Sequence, residues 1–214
     1  MTAVPCPARI FRLIHLDNLS VCLSRGGFHA PNCVPPPDGL VYKTIHDIDI
    51  QEKRKQRCIA CGPKGTIHDY VPFYFGVLSP MLLKLHSGQV ATYNEGQNPL
   101  IYIVSTAETI FGSGLRFIFS DGHGIAAFTQ WYDDLNRLNE IDWEMVEAKY
   151  WADNIDDMDR QRRKQAEFLV YQFCPWKVVH EIGVINSTVR EQVLPILAKF
   201  GASTPVRIHR SWYY

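Results

Sequence analysis

One acidic residue stands where a charge is costly to bury. In the segment QAEFLVY, Glu167 opens a stretch with the apolar character of a β-strand, which places it on the same face as Leu169 and Tyr171. A carboxylate on a half-buried strand face is unfavourable unless a cation pairs with it or it performs chemistry. Glu167 is therefore either paired with a cation for structural reasons or a functional carboxylate, and the residues alone do not name a reaction.

A basic run supplies cations that such a carboxylate or an anionic ligand could use. KRKQR, residues 53–57, ends a stretch of mixed polarity that we predict to be a long loop. A run of this kind is typical of a solvated surface, but an arginine fork in a loop also suits phosphate or a developing negative charge. The residues alone leave both interpretations open.

An aromatic segment, HDYVPFYFGVLSPML (68–82), carries polar groups along a predicted strand. His68, Tyr70 and Tyr74 stand where simple core packing would use aliphatic side chains. Tyr and Phe rings also stack on nucleobases and on nicotinamide. The segment is either core or a platform for a ligand.

Other patterns narrow the classes of site. The sequence contains no G-x-G-x-x-G, Walker or G-x-S-x-G motif, and SDGHG (120–124) is more typical of a turn than of a phosphate loop. Cys58 and Cys61 form one C-x-x-C, but no second pair follows at a zinc-binding spacing. We therefore predict no metal site.

Composition bounds the class of protein. The 214 residues include 22 basic and 22 acidic side chains, and zero net charge argues against binding nucleic acid through a basic tail. RQRRK (160–164) is a local exception, because it follows a strongly acidic stretch at 133–159. No apolar run approaches the ~18–20 residues of a membrane span, and no signal-peptide pattern opens the chain. We expect one cytoplasmic domain over 1–214 without membrane contact.

The predicted elements must position these residues. A short strand and a helix precede Gly26, and 31–65 is predicted to be mostly loop. Further strands are predicted at 70–77, 100–106, 115–121, 167–173, 177–185 and 206–210. Residues 131–153 are predicted to be mainly helical, and a last helix covers 189–200 with a kink at Pro195. Because strands and helices do not alternate as βαβ units, an α+β fold with a mixed or antiparallel sheet fits best.

Several of these segments together resemble one known family. HDYVPFYF followed by SPML, the strand QAEFLVY, the opening I-H-x-D-N-L and the closing WYY are similar to DarT, over essentially the whole chain from Ile10 to Tyr214. DarT proteins are the toxins of bacterial DarT–DarG pairs, and they ADP-ribosylate a base in single-stranded DNA using NAD. The resemblance implies an ADP-ribosyltransferase fold similar to the PARP branch, with a split, mixed central β-sheet and flanking helices.

The resemblance also implies roles for individual residues. The catalytic glutamate falls on Glu167, and the catalytic arginine of a Q-E-x-R segment falls on Arg54 in QEKR. An NAD-covering loop corresponds to about 34–56, and a substrate-binding turn-turn loop to about 123–167. Where many members carry a nicotinamide-pocket His, this chain has Arg12. The NAD contacts implied are Arg12, Leu13, Ile14, His15, Gly26, Arg54, Tyr70 and Tyr74.

A second set of residues is expected to meet DNA. The SPML stretch would face the strand, exposed aromatic rings would stack on bases, and the basic run at 160–164 would hold phosphates. The alternative for the basic run is that it only balances the acids at 153–159 across a helix or turn. The expected DNA contacts are Leu78, Ser79, Pro80, Met81, Leu82, Tyr150, Trp151, Arg162, Arg163, Lys164 and Gln165.

The function expected from residues and resemblance together is transfer of ADP-ribose from NAD to a base, thymine first, in single-stranded DNA. Glu167 would act as the general base, and Arg54 would polarise the base carbonyl. Modification of guanine or of protein, and a non-catalytic single-stranded-DNA-binding module of the same fold, are the alternatives. The expected partners are single-stranded DNA and a DarG-like macrodomain antitoxin, and the chain is expected to be a monomer that uses no metal.

Overall fold

Short strands and helices follow one another without regular alternation. The computed structural model describes residues 3–35 and 37–214; Met1, Thr2 and Pro36, the last within the predicted 34–56 loop, lie outside the described residues. Within those ranges the strands are β1 (Arg9–His15), β2 (Gly27–His29), β3 (Cys58–Ile59), β4 (Gly65–Thr66), β5 (Tyr70–Tyr74), β6 (Leu100–Thr106), β7 (Phe117–Ser120), β8 (Trp131–Tyr132), β9 (Glu167–Tyr171), β10 (Phe173–Pro175), β11 (Glu181–Val184) and β12 (Val206–Ile208). The α-helices of the same ranges are α1 (Asn18–Ser24), α2 (Ile48–Gln56), α3 (Pro80–His86), α4 (Ala107–Gly112), α5 (Trp143–Glu147), α6 (Arg160–Lys164) and α7 (Ser187–Lys199).

Eight of these strands form one mixed sheet. Its order is β12-β11-β6-β1-β5-β9-β7-β8. β11 and β12 run parallel, while the other neighbouring strands are antiparallel. The α+β class with a mixed sheet, expected from the absence of βαβ alternation, is confirmed.

The sheet opens at its centre, between β1 and β5. In the described part of the chain these two strands pair only at Phe11 and Tyr74, whereas β1 pairs with β6 along its whole length. Pro72 contributes to the opening because proline has no N–H to donate to a neighbouring strand. Its carbonyl instead accepts a hydrogen bond of 2.8 Å from Nη1 of Arg12. The split implied by the resemblance lies at this seam.

Apolar clusters cover both faces of the sheet. The larger one contains Phe168 together with buried residues of α1, α3 and α7. The smaller one contains Leu169 and side chains from the 59–70 region. Because Phe168 and Leu169 point to opposite faces, β9 is buried on both sides, and Glu167 at its start shares that burial.

The basic run at 53–57 is mostly helical and does not continue a loop. The Asp47 carboxylate accepts hydrogen bonds from the backbone N–H groups of Asp49 (3.0 Å) and Ile50 (3.3 Å), which satisfies donors that a helix start leaves unpaired. α2 then continues to Gln56. The prediction of irregular chain was wrong here, because α2 lacks an apolar stripe and only its cap marks it in the sequence.

The predicted helix over 131–153 was also wrong. This segment contains β8, a 3-10 turn at Leu135–Glu140 and the five-residue α5. The carboxylates of Asp134 and Asp142 each accept a hydrogen bond of 3.0 Å from a backbone N–H two or three residues ahead. Each aspartate therefore starts a new turn, and the segment divides into short pieces.

Several predicted strands are shorter than expected. β5 ends at Tyr74, before Leu78 takes a positive φ of 54°, and the stretch at 167–173 divides at Gln172, with φ 60°. Such φ values are incompatible with strand backbone. The stretches at 115–121, 177–185 and 206–210 reduce to β7, β11 and β12, while α7 continues through Pro195.

Residues 3–35 and 37–214 contain neither a membrane-spanning helix nor a metal-ligating cluster. No helix there has both the length and the apolar character needed to cross a bilayer. The same residues contain no group of three or more His, Cys, Asp or Glu side chains placed to hold a metal ion. Cys58 and Cys61 of the C-x-x-C are free thiols.

Candidate active site

The two residues predicted to be catalytic are in direct contact. Nη1 of Arg54 donates to Oε1 of Glu167 at 2.9 Å, and Nη2 donates to Oε2 at 2.7 Å. Arg54 is 6% exposed and Glu167 is 1% exposed. The cation that a buried Glu167 requires is therefore Arg54, and the fold brings the pair together from helix α2 and strand β9.

Regular backbone positions both partners. Glu167 is the first residue of β9 and lies directly opposite Tyr74 of β5. Its backbone N–H donates to Oγ of Ser120 at 3.3 Å. Arg54 stands in the last turn of α2, whose start is fixed by Asp47. The position of the pair is thus set by strand register and by a capped helix, which hold side chains more rigidly than loops do.

The SDGHG turn (120–124) supplies a third contact to the carboxylate. The backbone N–H of Gly124 donates to Oε1 of Glu167 at 3.1 Å. A Cβ at this position would lie 3.3 Å from that oxygen and 3.0 Å from the side chains of Ile67 and Trp131. Glycine therefore allows the close approach. The sequence indicated a turn here but gave no sign that the turn belongs to the site.

The ion pair is charged at neutral pH. Burial raises the pKa of Glu167, but the charge and hydrogen bonds of Arg54 and the Gly124 N–H outweigh it, so the pKa lies below its ordinary value. Burial lowers the pKa of Arg54, and Glu167 more than compensates. The carboxylate is therefore ionised and able to accept a proton, but it is a weak base while Arg54 holds it.

A cavity of about 520 Å³ lies over the pair, and residues of both β1 and β5 line it. This volume falls in the range of ligand sites. Cationic and aromatic side chains share its wall, among them Arg12, Arg25, Phe28, Tyr70, Tyr74 and Lys84. A wall of this composition suits a ligand with phosphates and flat rings.

One N–H donor of Arg12, on the wall of this cavity, has no hydrogen-bond partner in the described residues. Its guanidinium lies over the ring of Phe28, 5.5 Å from the centroid, and its Nη1 is bonded to Pro72. Its Nε is buried and has no hydrogen-bond partner in the described residues. A buried unpaired donor is unfavourable, and a polar ligand atom in the cavity would satisfy it.

Three histidines on the cavity wall are neutral at pH 7. Burial, with Arg12 and Arg54 adding to it, lowers the pKa of His46 to about 4. Burial also lowers the pKa of His68, helped by Arg54, and that of His123, where the Glu167 charge opposes the shift. The fixed positive charge of the wall therefore comes from Lys and Arg, while the histidines offer neutral donors and acceptors.

The residues predicted to bind NAD divide into two groups. Arg12, Leu13, Arg54, Tyr70 and Tyr74 line the cavity. Three others lie away from its lining: Ile14 is in the core, His15 is buried with its ring beside Glu95, and Gly26 is the positive-φ residue after α1. The cavity lies over Phe11, Arg12 and Leu13 in the middle of β1 and does not extend to Ile14 and His15 at the end of the strand.

The SPML stretch divides in the same way. Pro80 and Met81 line the cavity. Ser79 is buried, and its hydroxyl caps α3 by accepting a hydrogen bond from the N–H of Leu82 at 3.2 Å. The side chains of Leu78 and Leu82 are buried, which contradicts a surface role for them. Only part of this stretch can meet a ligand directly.

The two aromatic residues predicted to stack on bases have opposite environments. Tyr150 is 87% exposed and is free to stack. Trp151 is buried, and its indole N–H donates to the hydroxyl of Tyr214 at 2.9 Å. Stacking by Trp151 is therefore not compatible with this structure. Gln165, also predicted to meet DNA, lines the cavity.

The basic run at 160–164 is not a free cationic patch. Arg162 pairs with Asp121 and Asp159, and Arg163 pairs with Asp142, Asp157 and Asp159. Preceding acids therefore already neutralise both arginines in this structure, and their contact with DNA phosphates stays a prediction.

Lys164 is engaged in a different way. It is buried, and its ammonium donates to the carbonyls of Val146 and Ala148 at 2.7 Å each. Burial lowers its pKa to about 8. Lys164 holds the end of α5 in this structure, and its contact with a phosphate also stays a prediction.

Sequence reasoning missed several residues of the wall. His46 stands just before the cap of α2, Arg25 follows α1, Lys84 stands one turn after Met81 on α3, and His123 precedes Gly124. A helical reading of SPMLLK would have placed Lys84 beside Met81, since residues three apart share a helix face. The others depend on contacts between distant segments and leave no local signal.

This chain is similar to known proteins over almost its whole length. A family model described as DarT, ssDNA thymidine ADP-ribosyltransferase, matches residues 11–214. A DNA ADP-ribosyl transferase of Thermus aquaticus is 41% identical over 214 residues, which cover 99% of this chain and 91% of the relative. The resemblance read from the sequence is thus confirmed by whole-chain similarity.

Solved structures extend the agreement to the fold. The structure of Thermus sp. 2.9 DarT in complex with ADP-ribosylated single-stranded DNA superposes with a TM-score of 0.92 at 39% identity, covering 100% of this chain and 99% of that one. The same Thermus protein in complex with NAD+ gives a TM-score of 0.88 at 38% identity, covering 99% and 100%. The predicted fold is confirmed, and this chain belongs to the DarT family of single-stranded-DNA thymidine ADP-ribosyltransferases.

Proposed function

We propose that Glu167 and Arg54 carry out ADP-ribose transfer from NAD to a thymine base in this chain, with Glu167 as the general base. One observation carries the assignment: a bidentate, buried ion pair lies beneath a cavity lined by cations and aromatic rings. Buried charges that face a ligand cavity are typical of catalytic groups.

The cavity fits NAD by its chemistry. NAD+ occupies the similar Thermus protein, and here Arg12 and Arg25 offer guanidinium groups suited to a diphosphate. The unpaired Nε of Arg12 is a donor that such a ligand would satisfy. Phe28 and Tyr74 offer faces for the nicotinamide or adenine ring. We infer that NAD binds along this wall as a co-substrate that is consumed.

The reaction breaks one bond and forms another at the same carbon. The bond between ribose C1′ and the nicotinamide nitrogen breaks, and nicotinamide leaves as a neutral molecule while positive charge develops on the ribose. A ring nitrogen of thymine attacks that carbon, and its proton passes to the Glu167 carboxylate. A nearby carboxylate stabilises the developing oxocarbenium-like charge as well, so Glu167 serves both partners.

Arg54 controls how strong a base Glu167 is. While both nitrogens of the guanidinium hold the carboxylate, its pKa stays low. If one nitrogen of the guanidinium turns to a carbonyl of the thymine ring, it favours the anionic form of thymine. The same movement removes one of the two hydrogen bonds that hold the Glu167 carboxylate. The pKa of Glu167 then rises toward the value that proton transfer requires. Substrate binding would thus activate the base.

Single-stranded DNA fits this site better than duplex. The attacking nitrogen lies on the Watson–Crick edge, which a duplex hides and a single strand exposes without the cost of unpairing. The site lies in a cavity between strands and loops, so the target base must leave any stack to enter it. The exposed ring of Tyr150 is available to stack on a neighbouring base.

The partners beyond DNA follow from family membership. We propose a DarG-like macrodomain antitoxin as the cognate partner and a monomeric state for the chain. We also propose that the activity takes place in the cytoplasm, because NAD and chromosomal DNA are both found there.

Two experiments test these partners. Co-expression with a candidate antitoxin should relieve the toxicity of the chain in a bacterium that has no antitoxin. A monomer should elute from size-exclusion chromatography with the mass of a single chain.

A mass-shift assay tests the proposed function. The protein is incubated with NAD and four single-stranded oligonucleotides, each offering one base type in an otherwise constant context. We expect an ADP-ribose adduct on the thymine oligonucleotide, and none when NAD is omitted or the DNA is duplex. An adduct on guanine would replace the proposed base. Binding without any adduct would support the non-catalytic single-strand-binding alternative.

A further inference from the structure

The hydroxyl of Tyr214 joins two segments that approach the substrate side of the molecule. It donates to the carbonyl of Leu78 at 2.7 Å and accepts from the indole N–H of Trp151 at 2.9 Å. Leu78 precedes α3, while Trp151 lies in the stretch between α5 and α6. One hydroxyl thus connects segments more than seventy residues apart in sequence.

The turn that Tyr214 holds is a strained one. Leu78 has a φ of 54°, in the left-handed region that a side chain with a Cβ disfavours. Immediately afterwards Ser79 caps α3, and Pro80, Met81 and Lys84 of that helix line the cavity. The hydrogen bond to the Leu78 carbonyl therefore holds the backbone from which this part of the cavity wall starts.

The second segment depends on the same hydroxyl. From Tyr150 to Asp159 the chain forms no helix or strand in the described structure. Trp151 is one of its few buried side chains, and its N–H has Tyr214 as its partner. The exposed ring of Tyr150 stands next to this anchor, so the position of Tyr150 depends on where Trp151 is held.

Tyr214 is itself firmly positioned. Its backbone N–H donates to Oε1 of Gln97 at 3.0 Å, and the Gln97 amide donates back to its carbonyl. Its ring stacks on His86 of α3, with centroids 6.3 Å apart. Just before it, the hydroxyl of Tyr213 donates to the carbonyls of Leu100 and Gly183. The two tyrosines are adjacent, but of the two only Tyr214 bonds the turn before α3 and the stretch between α5 and α6.

We propose that Tyr214 is a positioning residue for the DNA substrate: through its hydroxyl it holds the 78–79 turn and Trp151 in the arrangement that receives the strand. The proposal rests on the proposed function, since it assigns DNA to this side of the cavity. It adds a residue that touches neither NAD nor the Arg54–Glu167 pair. Its effect is therefore expected on the DNA substrate alone.

Two adjacent Tyr→Phe variants test the proposal. Tyr214→Phe keeps the ring and removes the hydroxyl, and we expect at least about a fivefold rise in the KM for the oligonucleotide, because the change removes the hydrogen bond to Leu78 and the one from Trp151. The KM for NAD and the kcat should stay within twofold of wild type. Tyr213→Phe removes a hydroxyl with two partners from the neighbouring position, and should lower the Tm without changing the oligonucleotide KM.

The outcomes separate the proposal from a structural role and from the proposed function. An unchanged oligonucleotide KM in Tyr214→Phe, or an equal rise in both variants, would overturn it. Failure of the wild-type chain to modify thymine would instead overturn the proposed function. The same assay of ADP-ribose transfer to the oligonucleotide measures this outcome.

Trp151→Phe provides a second, independent measurement. It removes the other hydrogen bond of the Tyr214 hydroxyl and should raise the oligonucleotide KM in the same direction. Because Tyr214→Phe already breaks the connection that Trp151→Phe breaks, the double variant should be little worse than Tyr214→Phe alone. Additive effects would mean that Tyr214 and Trp151 act separately, and would overturn the joint role proposed for them.

Discussion

Two arginine–carboxylate pairs in this molecule share one geometry and differ in everything around it. Arg54 donates two hydrogen bonds to the Glu167 carboxylate, at 2.9 and 2.7 Å. Arg162 likewise donates two hydrogen bonds to the Asp159 carboxylate, at 2.7 Å each. The first pair joins distant segments and is buried beneath the cavity. The second joins residues three apart, is partly exposed and includes Asp121 as a further partner.

The difference shows that bidentate geometry alone does not identify a catalytic pair. A partly exposed pair within one turn contributes little and serves to hold local structure. A buried pair has given up its hydration, so each charge depends on its partner and responds strongly to any ligand that competes for it. The cavity over Arg54 and Glu167 provides the space for such a ligand, and the network around Arg162 is already complete.

The largest effect is expected from Glu167→Gln. The amide keeps the shape and one acceptor for Arg54 but cannot take a proton, so the rate of thymine modification should fall by about 10²–10⁴-fold, the usual contribution of a general base. Transfer to a thymine oligonucleotide, measured by mass spectrometry, checks the rate, and circular dichroism checks the fold.

Asp159→Asn is the matched control for that change. It converts the carboxylate of the other bidentate pair into an amide, and transfer should stay close to wild type. A folded Glu167→Gln enzyme with near-normal transfer would end the assignment of Glu167 as the base. Equal losses in the two variants would remove the distinction between the pairs.

The next effect in size concerns Arg54. Arg54→Lys keeps the charge but loses the planar fork, which a point charge cannot replace, and Arg54→Ala removes both. We expect transfer to fall by about 10²-fold or more in each, as for the loss of one preorganised donor, with a smaller change in NAD affinity. Equal losses of transfer rate and NAD affinity would instead make Arg54 a simple anchor for NAD.

A smaller effect should appear in the pH dependence of stability. The pKa of Glu167 is lower in the folded chain than its ordinary value of 4.5. The resulting stabilisation is present above that value and is lost as the pH falls through the folded pKa. Glu167→Gln lacks this titration, so its Tm should decline less than that of wild type on acidification below about pH 4.5. In a chain of this size, each kcal/mol in the free energy of unfolding changes the Tm by about 2–4 °C. Parallel declines in thermal melts would show that the pair does not respond to pH in this way.

Much of this site could be predicted from the sequence, and the reasons are physical. Glu167 was found because a carboxylate at the start of an apolar strand conflicts with burial. Arg54 was assigned through the resemblance, since nothing in KRKQR distinguishes the buried arginine from its exposed neighbours. The α+β class followed from the order of the strands. Only the signal for Glu167 was carried by residues close together in sequence, whereas the other two depended on patterns along the whole chain.

The errors came from contacts between segments or from misread local caps. The helix expected over 131–153 was divided by the capping carboxylates of Asp134 and Asp142, which compete with apolar periodicity. For Arg162 and Arg163 the sequence left phosphate binding and neutralisation by nearby acids both open, and in the structure acids from three turns pair with them. The role of Gly124 depends on a backbone N–H, which no side-chain pattern reveals.

The smallest expected effect is on the salt dependence of DNA binding. It distinguishes a cation without an ion pair from cations that are already paired with acids. In the described part of the chain Lys84 makes no ion pair, is exposed and lines the cavity, whereas Arg163 is paired with three aspartates. Each phosphate contact in a single strand contributes about 0.7 to the slope of log affinity against log salt. Lys84→Gln should therefore lower that slope by about 0.7, while Arg163→Gln should leave the slope unchanged and lower the Tm. Salt titrations of oligonucleotide binding to both variants provide the measurement. A lower slope for Arg163→Gln would mean that DNA displaces the aspartates on binding, and the basic run at 160–164 would then belong to the DNA path after all.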